Sequence, residues 1–333
     1  MAADRAAVVF VLAPMLIATG AAMSPAIAAR FPWYLRLFGG RQAARSIHFL
    51  GLVAIVLFTI GHVTLVVIDD FPRNMAWIVH GENAMAQASI AVGLGGLVVV
   101  AILHVSATRF SLRRPERVQS LLGAATMPVQ RFLLHHVTSR QRYSAGDAGF
   151  FRVNGRPPDV AEYRALAQSD FRDWRLRVTG LVSAPLSLSL VELHAMPMRT
   201  QVTLHHCIQG WSGIAAWTGV PLADILALCA PLSNARYVVF RAFDEHVEGK
   251  PYYETIDLEL ARHAQTLLAL DMNDEPLTIP HGAPCRLRVE TQLGFKMVKY
   301  IRSIELVDDY RAIGRGQGGF REDTQYYGPE AGI

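Results

Sequence analysis

The chain has 333 residues, with 32 Lys and Arg against 28 Asp and Glu, a net charge of +4 at pH 7. That small excess does not gather into basic runs interleaved with aromatics, so nucleic-acid recognition is excluded as a working assumption. Three cysteines, Cys207, Cys229 and Cys285, form no CxxC pair, which argues against a disulfide framework and against a structural zinc site.

The positive mean hydropathy of +0.23 comes from the first third. Residues 1–110 are strongly apolar, whereas residues 150–333 mix charged, aromatic, Gly and Pro residues as a soluble domain does. Three stretches, 6–28, 47–68 and 88–107, contain no Lys, Arg, Asp or Glu and reach the roughly 20 residues that a bilayer crossing needs. The expectation is a multi-pass protein of a bacterial cell membrane with the lipid bilayer as a partner. The first stretch, with AIAA at 26–29, also fits a secretory signal and its cleavage site.

Arg30, Arg36, Arg41 and Arg45 follow the first stretch, and Arg109, Arg113, Arg114 and Arg117 follow the third. The 69–87 loop has Arg73 beside Asp69, Asp70 and Glu82. Charge bias therefore places both Arg-rich segments, and all that follows, in the cytoplasm.

His48, His62 and His104 lie inside the apolar stretches, and an ionisable group there is a functional candidate by default. His48 and His62 are 14 residues apart, which on a helix is about 40° and roughly 21 Å. Such spacing suits axial ligands of two stacked haems, with His104 at the same membrane face as His48. Hydrogen bonding to a neighbouring helix, or a water-filled crevice, is the competing reading.

The stretch LFGGRQAARSIHFLGLVAIVLFTIGHVTLVV resembles the last helix of the four-helix b-type cytochromes of bacterial membranes, and VLAPMLIATGAAMSP resembles the helix before it. The resemblance implies haem b at His48 and His62. It also implies a start at the family's third helix, so that the haem sites are incomplete, or are completed by His104 or a partner chain, or the true start lies upstream. It places the soluble domain on the periplasmic side, opposite to the charge bias.

Residues 111–149 read as a basic linker broken by Pro115 and Pro128, with an interfacial helix over 118–134. His135 and His136 are adjacent and fall on different helix faces, a poor metal pair. From residue 150 onward, WRLRVTGLV, QVTLHHC, RYVVFRAF, CRLRVE and VKYIRSIELV read as strands, and SLSLVELHAM as a strand entering a short helix. VPLADILALC reads as an amphipathic helix and LELARHAQTLLAL as mostly helical. Strands and helices mix without regular βαβ spacing, which predicts an α+β domain over 150–333.

Cys207 sits at a predicted strand end, before a Gly-containing turn. Three roles are open to it: a nucleophile served by His205 or His206, a ligand of a soft metal, or a small buried hydrophobe. Cys229 and Cys285 read as core.

HHCIQGWSGIAAWTGVPLADIL resembles the molybdenum-cofactor domain of the sulfite oxidase family, nearest to the bacterial branch that includes periplasmic methionine sulfoxide reductases. FFRVNGRPP and the long stretch YYETIDLELARHAQTLLALDMNDEPLTIPHGAPCRLRVETQLGFKMVKYIRSIEL follow the same family in order. The resemblance implies a sulfite oxidase-type fold in which Cys207 binds molybdenum, and it implies molybdopterin as cofactor.

It further implies cofactor contacts from Arg152, Asn154, His281, Arg286, Gly294, Phe295, Lys296 and Lys299, with Cys207, His206 and Arg286 catalytic. Thiolate suits a soft metal, and the GFKMVK loop suits the cofactor's phosphate. Arg288 and Arg302 read equally as a solvated strand face. The expected activity is oxygen-atom transfer to or from a small oxo acceptor or donor. Electrons would pass through membrane haem, a redox partner or a quinone. Sulfite is not assigned, because His205, His206 and Gln209 stand near the cysteine where sulfite-oxidising relatives carry arginine. A non-catalytic haem carrier or anchor subunit is the alternative, and a cysteine hydrolase a third reading.

Overall fold

The computed structural model describes residues 8–81, 86–114, 117–118, 121–122, 124, 128, 132, 142–247, 250–324 and 331–333. Most of the expected interfacial helix, Pro115, and the His135–His136 pair lie outside the described residues. The chain divides into two compact units, Met1–Val118 with His135–Arg140 and Gln119–Leu134 with Gln141–Ile333.

In the first unit a π-helical turn, Val8–Leu12, runs into helix α1, Ala13–Met23. The helix stops at Ser24, whose ψ of 124° is the extended backbone that a following proline imposes. A separate short helix, Pro25–Arg30, follows. The expected span over 6–28 is therefore broken at 24–25.

Helix α2, Arg41–Ile68, starts after Gly40, whose φ of 101° belongs to glycine. Helix α3, Phe71–His80, is capped by the Asp70 carboxylate, which accepts from the Arg73 N–H at 3.2 Å, and is closed by Gly81 at φ 78°. Helix α4 is Ala86–Arg113. Among the described residues, α2 and α4 are long and apolar enough to cross a bilayer, with α1 falling short. The expected three-helix region thus has two long helices. Only 6% of each apolar stretch is buried within the chain, so these surfaces are built for an apolar surrounding. Where α1 meets α2, Met15 and Leu16 press so closely on Gly51 that a Cβ there would crowd both.

The second unit contains two five-stranded sheets. One has the order β2 (Leu186–Ser189), β1 (Arg175–Gly180), β10 (Ile301–Val307), β5 (Tyr237–Val247), β6 (Lys250–Asp257). The other has β3 (Arg199–His206), β4 (Ser212–Pro221), β7 (Thr266–Met272) and β8 (Glu275–Pro276), with β9 (Arg286–Val289) on β7. Only β1 and β10 pair in parallel; the other pairs are antiparallel. Residues of both sheets, including Leu176, Trp217, Phe240, Leu268, Leu287 and Ile304, join one hydrophobic cluster. Helix α5, Leu222–Cys229, buries Leu222, Ile225, Leu226 and Cys229 as its spacing predicts.

Two elements differ from expectation. The stretch 258–270 is helical only over Leu258–Ala261, then turns into β7. Thr266 to Leu270 are all buried, between β4 and β9. A central strand buried on both faces shows a continuous apolar run, which periodicity does not separate from a helix. The second is β4, hidden in SGIAAWTGVP because two glycines and two alanines dilute its strand signal.

The chain ends in a strap across β6. The Thr255 N–H donates to the Gly318 carbonyl at 2.9 Å, and the Tyr253 hydroxyl donates to Asp323 at 2.5 Å. Beneath the strap, the Lys296 ammonium donates to Glu254 at 3.0 Å, to the Thr255 carbonyl at 3.1 Å, and to Glu322. All three charged side chains are at most 1% exposed. Lys296, which the resemblance puts among the cofactor contacts, has its ammonium turned to these two carboxylates.

Burial opposes the Lys296 charge, but the carboxylates outweigh it and raise its pKa. Burial pushes Glu254 well above the ordinary carboxylate range despite Lys296, and the Glu322 charge adds to the push. Two carboxylates around one ammonium carry one excess negative charge, which protonation of Glu254 removes.

Lys296→Met would strand that charge and cost about 3–5 kcal/mol. Glu254→Gln mimics the protonated acid and should cost about 1 kcal/mol or less. Denaturant unfolding of the two variants checks the order, and equal losses would show that Glu254 is ionised in the fold.

Candidate active site

The site is built on the β3–β4 hairpin. His206 is the last residue of β3 and pairs with Ser212 at the start of β4. Between them the Cys207 N–H donates to the Trp211 carbonyl at 3.0 Å, and the Gly210 N–H to the Cys207 carbonyl at 3.0 Å. Gly210, at φ 87°, makes this tight turn accessible to the backbone.

The turn sets the Cys207 sulfur at the wall of a cleft of about 300 Å³, whose lining includes Asn154, Gln209, Phe295, Lys299 and Arg321. Cys207 is 4% exposed, yet its Sγ accepts from Asn154 Nδ2 at 3.4 Å and from the Gln209 N–H at 3.5 Å. Burial raises the thiol pKa, while the Gln209 N–H and the charges of Arg152 and Arg321 pull it back. Burial outweighs them and the thiol pKa stays raised, with the donors and cations offsetting part of that cost.

A smaller cavity of about 60 Å³ shares Asn154, Gly294, Met297 and Lys299 with the cleft and adds Arg152, His205, His281 and Arg286. The structure therefore gathers residues 152–154, 205–207, 281–286 and 294–299 in one place.

His205, not His206, lines this cavity. Arg288 Nη1 donates to His205 Nδ1 at 3.3 Å, so the ring is neutral with its proton on Nε2. Burial, then Arg288 and Arg286, push its pKa well below the ordinary value. The His205 ring occupies the space where a Cβ of residue 294 would lie, which is why Gly294 is a glycine. His206 points to the other face of β3, with Nδ1 3.2 Å from Ser212 Oγ, and lines neither cavity. His206, which the resemblance makes catalytic, therefore lies on the opposite strand face from His205, since strand neighbours alternate faces.

Arg286 and Arg288, two residues apart on β9, both lie over the Trp217 ring, at 4.7 and 4.2 Å. Arg288 is paired with Glu290 through two contacts of 2.7 Å, so the solvated-face reading does not hold for it. Arg286 donates to the His281 carbonyl at 2.9 Å, but its buried Nε has no partner among the described residues. Burial and Arg288 lower its pKa to about 9. A buried donor left without an acceptor marks a place for one.

His281 Nε2 donates to the Phe151 carbonyl at 3.1 Å, and Nδ1 accepts from Thr278 at 2.8 Å. The Lys299 ammonium donates to the carbonyls of Asn154, at 2.5 Å, and Pro280, at 3.0 Å. Burial, with Arg286 next, lowers its pKa to about 7. Phe295 lines the cleft, and its carbonyl accepts from Tyr252 at 2.6 Å. Arg321 was not legible in advance: it follows the long family-like stretch, and no motif surrounds it.

A group with a metal and an anionic tail fits these residues. The thiol is held by donors, Arg286 has an unused buried N–H, and cations flank both cavities. Among the described residues, no three His, Cys, Asp or Glu cluster as a metal site, so a metal at Cys207 would need most of its ligands from the group that carries it.

In the first unit, His48 Nδ1 is 2.9 Å from Thr19 Oγ1, His62 stacks on Phe58 with ring centroids 5.4 Å apart, and His104 is exposed on α4. The structure records no contact among these three histidines.

A family profile described as "Oxidoreductase molybdopterin binding domain" matches residues 163–312. Residues 163–312 are thus similar to that family. The putative protein-methionine-sulfoxide reductase subunit YedZ1 of Azospira oryzae is 40% identical over 157 residues, which is 47% of this chain and 55% of that protein. The protein-methionine-sulfoxide reductase catalytic subunit MsrP of Xanthomonas campestris is 37% identical over 145 residues, 40% of this chain and 45% of that one. The chain spans about half the length of the curated relatives it matches. The sulfane dehydrogenase SoxCD from Paracoccus pantotrophus matches with a TM-score of 0.37 and 24% identity, over 41% of this chain and 39% of that one.

Lys299 gives this domain a testable proton linkage. With a pKa of about 7 it is mostly neutral at pH 8, and an arriving anion raises it. Inorganic phosphate binding to cofactor-free protein should take up a proton at pH 8. Its affinity should fall as pH rises from 7 to 9, approaching about tenfold per unit. Calorimetry in buffers of different ionisation enthalpy measures the uptake, which Lys299→Met should abolish.

Proposed function

We propose that the chain is a membrane-anchored, molybdenum-cofactor-dependent oxidoreductase that reduces sulfoxides, with methionine sulfoxide as the substrate class. The observation that carries the proposal is the Cys207 sulfur, buried at a cleft wall yet fed by two N–H donors. That cleft is continuous in its lining with the 294–299 loop. The names of the relatives support the substrate class.

When bound, the cofactor supplies two-electron oxygen-atom exchange. Cys207 holds the metal through Sγ, and the Asn154 and Gln209 donors stabilise the thiolate there. Arg286, His281 and Lys299 hold the anionic and pterin parts beside Gly294, whose missing side chain leaves room for the His205 ring. Neutral His205 keeps its Nε2 proton as a donor, which serves a developing negative charge on oxygen. The overall reaction takes a sulfoxide, two electrons and two protons to a sulfide and water.

Haem b at His48 and His62 is the proposed electron relay, with a membrane redox partner or quinone behind it. The Thr19 hydroxyl lies 2.8 Å from the Met15 carbonyl, to which it donates. It then accepts from His48 Nδ1–H, which leaves His48 Nε2 as the lone pair a metal requires. His62 lines a cavity of about 710 Å³ with Asp69, Arg73, Asn74 and Trp77.

Purified full-length protein should carry about one molybdenum per chain, lost in Cys207→Ser and kept in Cys229→Ser. A reduced-minus-oxidised spectrum should show b-type haem that His48→Ala diminishes. Haem without molybdenum would favour the electron-carrier alternative. Thiol-sensitive activity without any metal would favour a hydrolase.

A further inference from the structure

The family-matched residues end at 312, but the cleft does not. Arg321, on the short helix α6, Phe320–Thr324, lines the same cleft as Cys207. Its neighbours explain its direction. Phe320 packs on Tyr252 with ring centroids 5.6 Å apart, Glu322 is gripped by Lys296, and Asp323 accepts from Tyr253. Phe320, Glu322 and Asp323 are buried against β6, while Arg321 is only half-buried and turned to the cleft.

A guanidinium placed this way is rigidly presented, because the segment on both sides of it is clamped. It faces a wall with Ile208, Phe295 and Met297 among its apolar members. Such a wall suits an apolar thioether portion, while the guanidinium suits a negatively polarised oxygen.

We propose that Arg321 is a specificity-determining residue that engages the sulfinyl oxygen of the substrate and so orients it toward the Cys207 side of the cleft. The assignment rests on the sulfoxide reductase reading above and adds a residue to it. Arginine is suited to the task because it stays charged and presents a fork of donors. A charge-assisted hydrogen bond is stronger than a neutral one.

The test uses full-length holoenzyme in detergent, with methionine sulfoxide as substrate and reduced benzyl viologen as the electron donor. Arg321→Gln should keep the molybdenum content of the wild type and raise KM roughly 10- to 100-fold. Its kcat should fall less than KM rises, since the assigned role is to bind and orient the substrate. Arg321→Lys should recover part of the KM loss, and it serves as the readout if the glutamine variant folds poorly.

Unchanged KM in a molybdenum-replete Arg321→Gln enzyme overturns the assignment alone. So does loss of molybdenum in step with activity, which would make Arg321 a cofactor-holding residue. Absence of molybdenum from the wild-type chain sinks the sulfoxide reductase reading and this assignment with it.

Discussion

The second unit is organised around a sulfur atom that is removed from water but not from hydrogen-bond donors. Burial alone drives a thiol toward its neutral form, as Cys285 shows: fully buried, its pKa is pushed far up by desolvation. Cys207 is buried too, but the Gln209 N–H, Asn154 Nδ2 and the fields of Arg152 and Arg321 oppose that push. The difference between the two cysteines lies in the hairpin turn. Cys285 precedes β9 inside the core, while Cys207 leaves its strand just where the chain folds back. A turn exposes backbone N–H groups that a ladder would consume, and one of them reaches the sulfur.

The same economy of charge governs the walls. Buried cations require partners, and the domain treats its basic residues in different ways. Lys296 is fully neutralised by two carboxylates and serves the strap. Arg288 is neutralised by Glu290 and fixes the tautomer of His205. Arg286 donates to the His281 carbonyl and keeps one buried donor unused, while Lys299 donates to two carbonyls and the Tyr300 hydroxyl. The last two are the ones with depressed pKa values. Cations that feel only the more distant fields of Glu290 and Asp244 are suited to an anion from outside, whereas Lys296 is already paired.

Much of this was legible in the sequence where a local signal was strong. The strands at 175–180 and 301–307 and the α5 face followed from periodicity, and the Cys207 motif from its neighbours. What was not legible depended on long-range placement. Lys296 and Lys299 belong to one short basic motif, and only Glu254 of β6 and Glu322 of the strap, 42 and 26 positions from Lys296, separate their fates. His205 and His206 are adjacent, and the choice between them depends on which face of β3 meets the 294–299 loop. Strand β7 reads as helix until its partners on both sides are known. The broken first apolar stretch was signalled by Pro25 but outweighed by its length and composition.

A site with one thiolate divides its labour in a particular way. No cluster of three or more metal-ligating side chains occurs among the described residues, so Cys207 alone is a weak hold on any metal. On the proposed reading, retention would come from groups on the side of Arg286, His281 and Lys299. On the same reading, the thiol would be left to tune the metal through the donors around it. The open side of the cleft, bounded by Arg321 from the strap and Gln209 from the hairpin, is free to vary with the substrate without loosening the cofactor. A strap anchored by its own buried charge cluster, apart from the cations of the pocket, allows that independence: its stability is set by Lys296 and two carboxylates, none of which faces the ligand.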